Sequence, residues 1–352
     1  MKKSKVFIAA GGSGGHLFPA LGVAEQLSQE NFAVAFCGVG LKNNPFFPKE
    51  KYLYQSVCGN TLNRKTFYKA PFQLFFGLLQ AIKFLLKQRP DFLIGFGSFH
   101  SFPTIAAAWL LRIPFALFEP NTVLGKVNAL FYPKATHVFS YFPIGLKREV
   151  VISPPRMRVQ HDQKRAKENL QLETNKPILL IVGGSQGSMI VNQAVTLIER
   201  ERLKRYFVIH ILGKNDSLTK WEAYYKEQRI EARVLDFSNQ MDSILSVTDL
   251  CISRAGASTI YEAISFSIPS ILIPYGEDPK GHQIHNAKYF VKTLQGGCML
   301  LQNQITKDSI NQQFEELEEK REVFRSHLQN CKNSLQSSLV SYFVSKGIKS
   351  SL

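Results

Sequence analysis

Three segments of the 352-residue chain join small residues to side chains that can move a proton or hold an anion. The first is Gly11-Gly12-Ser13-Gly14-Gly15-His16. Glycines admit left-handed backbone and let amide groups approach a ligand closely. A neutral imidazole at His16 would accept a proton from a sugar hydroxyl near neutral pH; a cap or loop tie at His16 and a tight structural turn are the plainer readings. The spacing is not the dinucleotide GxGxxG, and no Gly-Lys-Ser follows. The second segment, Gly183-Gly184-Ser185-Gln186-Gly187, sets the uncharged donors Ser185 and Gln186 among backbone amides. Such a loop suits a diphosphate without lysine or metal, or serves as a turn. The third is Arg254-Ala255-Gly256-Ala257-Ser258-Thr259-Ile260-Tyr261-Glu262. Its small residues let the chain approach a nucleotide, and Glu262 can accept from paired ribose hydroxyls. A solvated Glu262 and a capping Thr259 are the alternative. Gln283 lies within reach of a donor sugar in this reading. His282 and His285 have no third ligand near them in sequence, so no metal is expected.

These segments need elements that hold them. Residues 5–10, 32–36, 92–95, 115–118 and 136–140 read as short strands, with helices over 19–29 and 103–111. Residues 178–182, 207–212, 232–235, 250–252 and 270–273 read as strands, with a helix from the second glycine loop to about 203. Strand–helix alternation of this kind indicates α/β parallel sheets covered on both faces. Pro154, Pro155 and a polar stretch after them mark a boundary. The expectation is two Rossmann-like domains facing a central cleft, in preference to one nine-stranded sheet. The bounds are residues 1–157, completed by a C-terminal helix at 328–352, then a linker at 158–176 and a second domain at 177–327.

The chain carries 43 Lys and Arg against 27 Asp and Glu, a net charge of +16. Residues 1–160 hold 19 basic and 6 acidic side chains, so the excess sits in the first half. A basic surface suits nucleic acid, anionic lipid or a phosphorylated substrate. Glycine loops at strand ends, with no series of aromatic stacking platforms, disfavour RNA. Five cysteines without a CxxC pair fit a reducing compartment. The apolar run at 6–10 is too short for a signal peptide, and no run of about 18 apolar residues offers a spanning helix. Residues 70–86 stand apart: Phe72, Phe75, Phe76 and Leu79 crowd a short segment beside Lys83 and Lys87. A helix lying in the membrane interface would use that surface; an ordinary core helix is the other reading.

Taken in order, residues 11–19, 95–103, 119–121, 183–188, 253–262 and 282–287 resemble the GT-B glycosyltransferases of family 28 that add N-acetylglucosamine from UDP-N-acetylglucosamine to lipid I. The resemblance implies a GT-B fold, with a lipid-acceptor first domain and a UDP-sugar-binding second domain. It implies a peripheral enzyme on the cytoplasmic face of the bacterial inner membrane. Its substrates would be UDP-N-acetylglucosamine and lipid I, and its contacts the anionic membrane surface and other cell-wall synthesis proteins. No nucleic acid, resident cofactor or diphosphate-binding metal is implied.

The family pattern sets Ser13, Gly14 and Gly15 near the transferred sugar, with Gly12, Ser98 and Phe99 in the acceptor loops or cleft. Asn121 and Arg156 match the donor and reaction centre, and Ser185 and Gln186 the diphosphate loop. Ser238 matches the position whose backbone faces uracil. Ala257, Ser258, Thr259, Ile260, Tyr261 and Glu262 match the nucleotide segment, with Glu262 on the ribose, and Gln283 matches a sugar contact. The chain departs from the family at several points. Ser13 replaces Thr, Ser98-Phe99 replaces a Gly-Tyr pair, and Phe118-Glu119-Pro120-Asn121 replaces His-Glu-Gln-Asn. Ser153-Pro154-Pro155-Arg156 stands for Asn-Pro-Val-Arg, and Lys280-Gly281 for an acidic stretch. The lost histidine leaves His16 as the base candidate for inverting transfer to the acceptor C4 hydroxyl, with Arg156 stabilising the departing diphosphate. A related glycosyltransferase with another acceptor, or a UDP-sugar epimerase, would keep the same donor features.

Overall fold

The computed structural model describes residues 3–12, 14–59, 70–153, 159–184, 186–276, 281–334, 339 and 342–343. Ser13, Arg156, Ser185 and Lys280 lie outside them. The chain divides into two compact units, Met1–Met157 with Gln336–Leu352, and Arg158–Leu335.

Runs of apolar residues buried from both sides become parallel strands. In the first unit these are β1 (Lys5–Ala9), β2 (Ala33–Val39), β3 (Leu53–Val57), β4 (Phe92–Gly95), β5 (Phe115–Glu119), β6 (Val138–Ser140) and β7 (Glu149–Val151). They form one sheet in the order β3-β2-β1-β4-β5-β6-β7. All neighbours are parallel. Register runs from Val6 opposite Phe92 to Ala9 opposite Gly95. The order reverses between β1 and β4, so the loops leaving these two strands diverge and open a crevice at their carboxyl ends.

The second unit repeats the plan with β8 (Ile178–Val182), β9 (Phe207–Ile211), β10 (Ala232–Leu235), β11 (Leu250–Ser253), β12 (Ser270–Leu272) and β13 (Gly297–Met299). Its sheet runs β10-β9-β8-β11-β12-β13, again parallel, with the reversal between β8 and β11. The single nine-stranded sheet is thereby excluded. The strands β3, β7 and β13 are additional to those expected from the sequence. All three are sheet edges, where one side lacks a neighbour and a continuous apolar run is not required.

Several boundaries shift for local reasons. Pro19 and Pro103 were expected to open helices. The helices instead span Gly14–Gln29 and Ser98–Leu110, with each proline inside. In both, the loop residues themselves are wound into the first turn. The helix expected to reach residue 203 is broken into Met189–Ala194, a 3₁₀ turn at Val195–Leu197, and Arg200–Leu203.

The stretch expected as a linker contains the helix Gln163–Leu170, capped by the Asp162 carboxylate, which accepts from the Arg165 amide at 2.9 Å. Ala166, Leu170 and Leu172 are buried with Ile178, Ile244 and Leu245, so this stretch belongs to the second unit's core. At the C-terminus, Arg321–Ser334 is one helix and stays with the second unit; the chain returns to the first only at Gln336, not 328. There Phe343 packs its ring 5.1 Å from Phe92 and 5.9 Å from Phe139. Burying one such side chain is worth about 2 kcal/mol.

Residues Ala70–Gln88 form one helix whose two sides differ. Ala81, Phe84 and Leu85 pack into the first unit's core. Phe72, Phe75, Phe76, Leu79 and Leu86 are 46–71% exposed, at helical spacing on the other side. Lys83 and Lys87 are exposed beside them. Among the described residues no helix is long and apolar enough to cross a membrane.

Candidate active site

The carboxyl ends of β1, β4 and β5 bring together Gly12, Gly14, Gly15, His16, Ser98, Phe99 and Asn121 at one end of the first sheet. His16, on the first turn after the glycine loop, sets Nδ1 2.7 Å from the backbone oxygen of Phe96 at the end of β4. A carbonyl only accepts, so Nδ1 carries the proton. That fixes the tautomer and leaves the Nε2 lone pair available, which a general base needs.

The loop before His16 is held from both sides. Asn44 donates from Nδ2 to the Gly12 oxygen at 2.7 Å. The His100 ring lies against Gly12, whose φ is +77: a Cβ there would sit 2.5 Å from Cε1 and Nδ1 of His100. Glycine is thus required at position 12 twice over, by conformation and by space. Burial, and then repulsion from the His16 imidazole whenever that ring is protonated, hold the His100 imidazole below its ordinary pKa. Ser98, opening the next helix, adopts φ +66, and its Oγ accepts from the His100 amide at 3.3 Å.

Glu119, at the end of β5, is 2% exposed. Its carboxylate accepts from Asn121 N at 3.2 Å, Asn121 Nδ2 at 2.9 Å, Gly125 N at 2.8 Å and Asn128 Nδ2 at 3.0 Å. Burying a carboxylate is costly unless donors surround it; here four donors fix the loop that presents Asn121. Asn121 is recognisable in the sequence; the organising part of Glu119 emerges only from the fold.

In the second unit, the carboxyl ends of β8, β10 and β11 carry Gln186, Ser238 and the segment 257–262. The loop Gly183–Gly187 passes close against Leu212 and Gly213, leaving no room for side chains at Gly187 or Gly213. Asn192 braces this contact, donating from Nδ2 to Leu212 O at 3.3 Å and to Asp216 Oδ2 at 2.9 Å. Gln186 is exposed.

The helix Ala257–Phe266 starts directly after β11, and Gly256 supplies no side-chain cap. Ser258 is exposed; Thr259 and Glu262 are partly exposed. Ala257, Ile260 and Tyr261 are buried. Their side chains face the interior of the second unit. Arg254 is also interior, donating from Nη1 to Ile273 O and Gln302 Oε1 beneath Tyr275. Asn286 donates to Ala255 O at 3.2 Å and steadies the same turn. Gln283 accepts from the Tyr275 amide at 3.0 Å. Ser238 accepts from the Gln240 amide at 3.0 Å and lines a cavity of about 400 Å³ with Phe237, Asn239 and Leu235. Among the described residues no group of three or more His, Cys, Asp or Glu could hold a metal ion.

Comparison with known proteins agrees with this layout. Residues 6–140 match the glycosyltransferase family 28 N-terminal domain, and residues 178–340 the glycosyltransferase family 28 C-terminal domain. The UDP-N-acetylglucosamine--N-acetylmuramyl-(pentapeptide) pyrophosphoryl-undecaprenol N-acetylglucosamine transferase of Chlamydia muridarum is 34% identical over 89% of both chains. The enzyme of the same name from Protochlamydia amoebophila is 34% identical over 85% of this chain and 83% of its own. The crystal structure of Acinetobacter baumannii MurG superposes with a TM-score of 0.79, at 25% identity, over 97% of this chain and 98% of that one.

Proposed function

This chain belongs to glycosyltransferase family 28, and we propose that it transfers N-acetylglucosamine from UDP-N-acetylglucosamine to the C4 hydroxyl of the N-acetylmuramyl residue of lipid I. The products are lipid II and UDP, with inversion at the anomeric carbon. The activity rests on relatives of that name over nearly nine-tenths of the chain. The chemistry rests on one observation, the His16 Nδ1 bond to Phe96 O that leaves Nε2 as proton acceptor.

In this mechanism the acceptor oxygen attacks the anomeric carbon from the side opposite UDP while Nε2 of His16 takes its proton. The anomeric carbon becomes oxocarbenium-like, and negative charge grows on the leaving diphosphate. Arg156 and the loop carrying Ser185 and Gln186 are assigned to that charge. Groups that bind it more strongly than the ground state lower the barrier. Glu262 takes the ribose hydroxyls, backbone at Ser238 faces uracil, and Gln283 and Asn121 orient the donor sugar. Ser13, Gly14 and Gly15 line its path.

The acceptor is a lipid, and the exposed stripe of Phe72, Phe75, Phe76 and Leu79 beside Lys83 and Lys87 supports attachment to an anionic membrane surface. The enzyme would then work peripherally on the cytoplasmic face of the inner membrane, alongside other cell-wall synthesis proteins.

The test is a reconstituted reaction of the purified protein with UDP-N-acetylglucosamine and lipid I in detergent, with mass identification of lipid II. His16→Ala should slow turnover by about 10²–10⁴-fold while UDP affinity by calorimetry is kept. UDP release without lipid II, or an epimerised UDP-sugar, would overturn the reading. Near-normal turnover by His16→Ala would reject that residue as base.

A further inference from the structure

His16 is not the only imidazole at the first loop. His100 lies on the helix that follows β4, two residues after Ser98, and its ring covers the α-carbon of Gly12. The two histidines are held alike. His16 is anchored through Nδ1 on Phe96 O at 2.7 Å. His100 turns Nδ1 toward Ser98 Oγ at 3.4 Å, a long contact. For each ring, Nε2 meets no protein partner among the described residues. Both rings are partly exposed at the same sheet end.

We propose that His100 is a second acceptor-contacting imidazole, whose Nε2 hydrogen-bonds a polar group of the acceptor sugar beside the hydroxyl that His16 deprotonates. This deepens the functional reading above and rests on it. A sugar presents hydroxyl and amide groups at neighbouring carbons, and two ring nitrogens at one loop match that pattern.

The charge state of the pair is consistent with the division of labour. Of the segments packed on His100, the Gly11–Gly12 turn and the Gly38–Val39 strand end bring no titratable side chain. The helix Gly14–Gln29 brings His16. Burial first, and repulsion from a protonated His16 second, hold His100 below its ordinary value. When His16 gains the acceptor proton, His100 therefore stays neutral and keeps its hydrogen bond.

The experiment uses the full chain with lipid I and UDP-N-acetylglucosamine, comparing wild type, His100→Phe and His100→Gln. Phe keeps the ring on Gly12 and removes both nitrogens; Gln keeps a hydrogen-bonding group. Expected are a fivefold to tenfold fall (roughly one hydrogen bond) in kcat/KM for lipid I in His100→Phe and substantial recovery in His100→Gln. The KM for UDP-N-acetylglucosamine should stay within about twofold in both. In His16→Ala, the NMR titration midpoint of the His100 ring should move up. Lipid I kcat/KM within twofold of wild type in His100→Phe overturns the proposal, as does an equal loss in His100→Gln or an unmoved midpoint. Wild type without lipid I turnover overturns the functional reading as well, which separates the two failures.

Discussion

Gly187 and Gly213 touch: a side chain on Gly213, at φ +82, would overlap the Gly187 backbone. The loops leaving β8 and β9 are thus pressed together at Gly187, the end of the loop proposed to hold the diphosphate. Gly213→Ala should cost about 2–4 kcal/mol, combining left-handed strain with overpacking. Gly184 has a similar φ of +83 but nothing within 4 Å of a Cβ. Gly184→Ala should therefore cost only about 1 kcal/mol. Urea unfolding of the two variants compares them directly; equal losses would mean that the close approach is unimportant.

Behind that contact, His210 is wholly buried, accepting from Tyr225 at Nδ1 (2.9 Å) and donating from Nε2 to Asn192 Oδ1 (3.1 Å). Burial pushes its pKa from 6.5 down to about 3. The unfolded chain takes up this proton near 6.5 and the folded chain does not until about 3. Stability from this site is thus complete above the upper value and is lost as pH falls through that window, at up to about 1.4 kcal/mol per pH unit. Urea unfolding stepped from about pH 7 to about pH 5 should show this slope, and His210→Gln should flatten it. An unchanged slope in the variant would place the acid sensitivity elsewhere.

The Glu119 carboxylate has only donors around it. In Glu119→Gln an amide NH₂ must face one or more of them, leaving buried donors unpaired at about 1–3 kcal/mol. The loss should appear both in thermal stability and as a raised KM for UDP-N-acetylglucosamine, because Asn121 loses its support. A variant that is destabilised yet kinetically normal would remove Asn121 from the donor site.

The exposed aromatic stripe makes the opposite pairing of outcomes. Phe72, Phe75 and Phe76 contribute little to the folded interior. Replacing all three by Ser should leave stability unchanged within about 1 kcal/mol. Co-sedimentation with vesicles containing phosphatidylglycerol should fall by about tenfold or more, since each buried ring is worth about 2 kcal/mol. Raising salt should weaken the wild type as well, through Lys83 and Lys87. Full vesicle binding by the triple variant would assign the stripe to something other than lipid.

Apolar runs and glycine punctuation are local properties. They were sufficient for two α/β units, for β1, β2, β4 to β6 and β8 to β12, and for the loops after β1, β8 and β11. The edge strands β3, β7 and β13 escaped because a strand with one open side tolerates polar residues. The helix Gln163–Leu170 escaped because its inward face is only Ala166 and Leu170 amid charge. Among the proposed site residues, His16, Gln186, Glu262 and Gln283 could be named from their types and setting alone. That Ile260 and Tyr261 face inward was not, since a helix shows which side is buried only once its sheet is in place. Sheet order set the carboxyl ends of β1 and β4 side by side, and hence decided that His16 finds Phe96 O and stands beside His100 across about eighty residues of chain. Hydrogen-bond direction, tautomer and charge state depend on such distant neighbours, so only the tertiary structure could supply them.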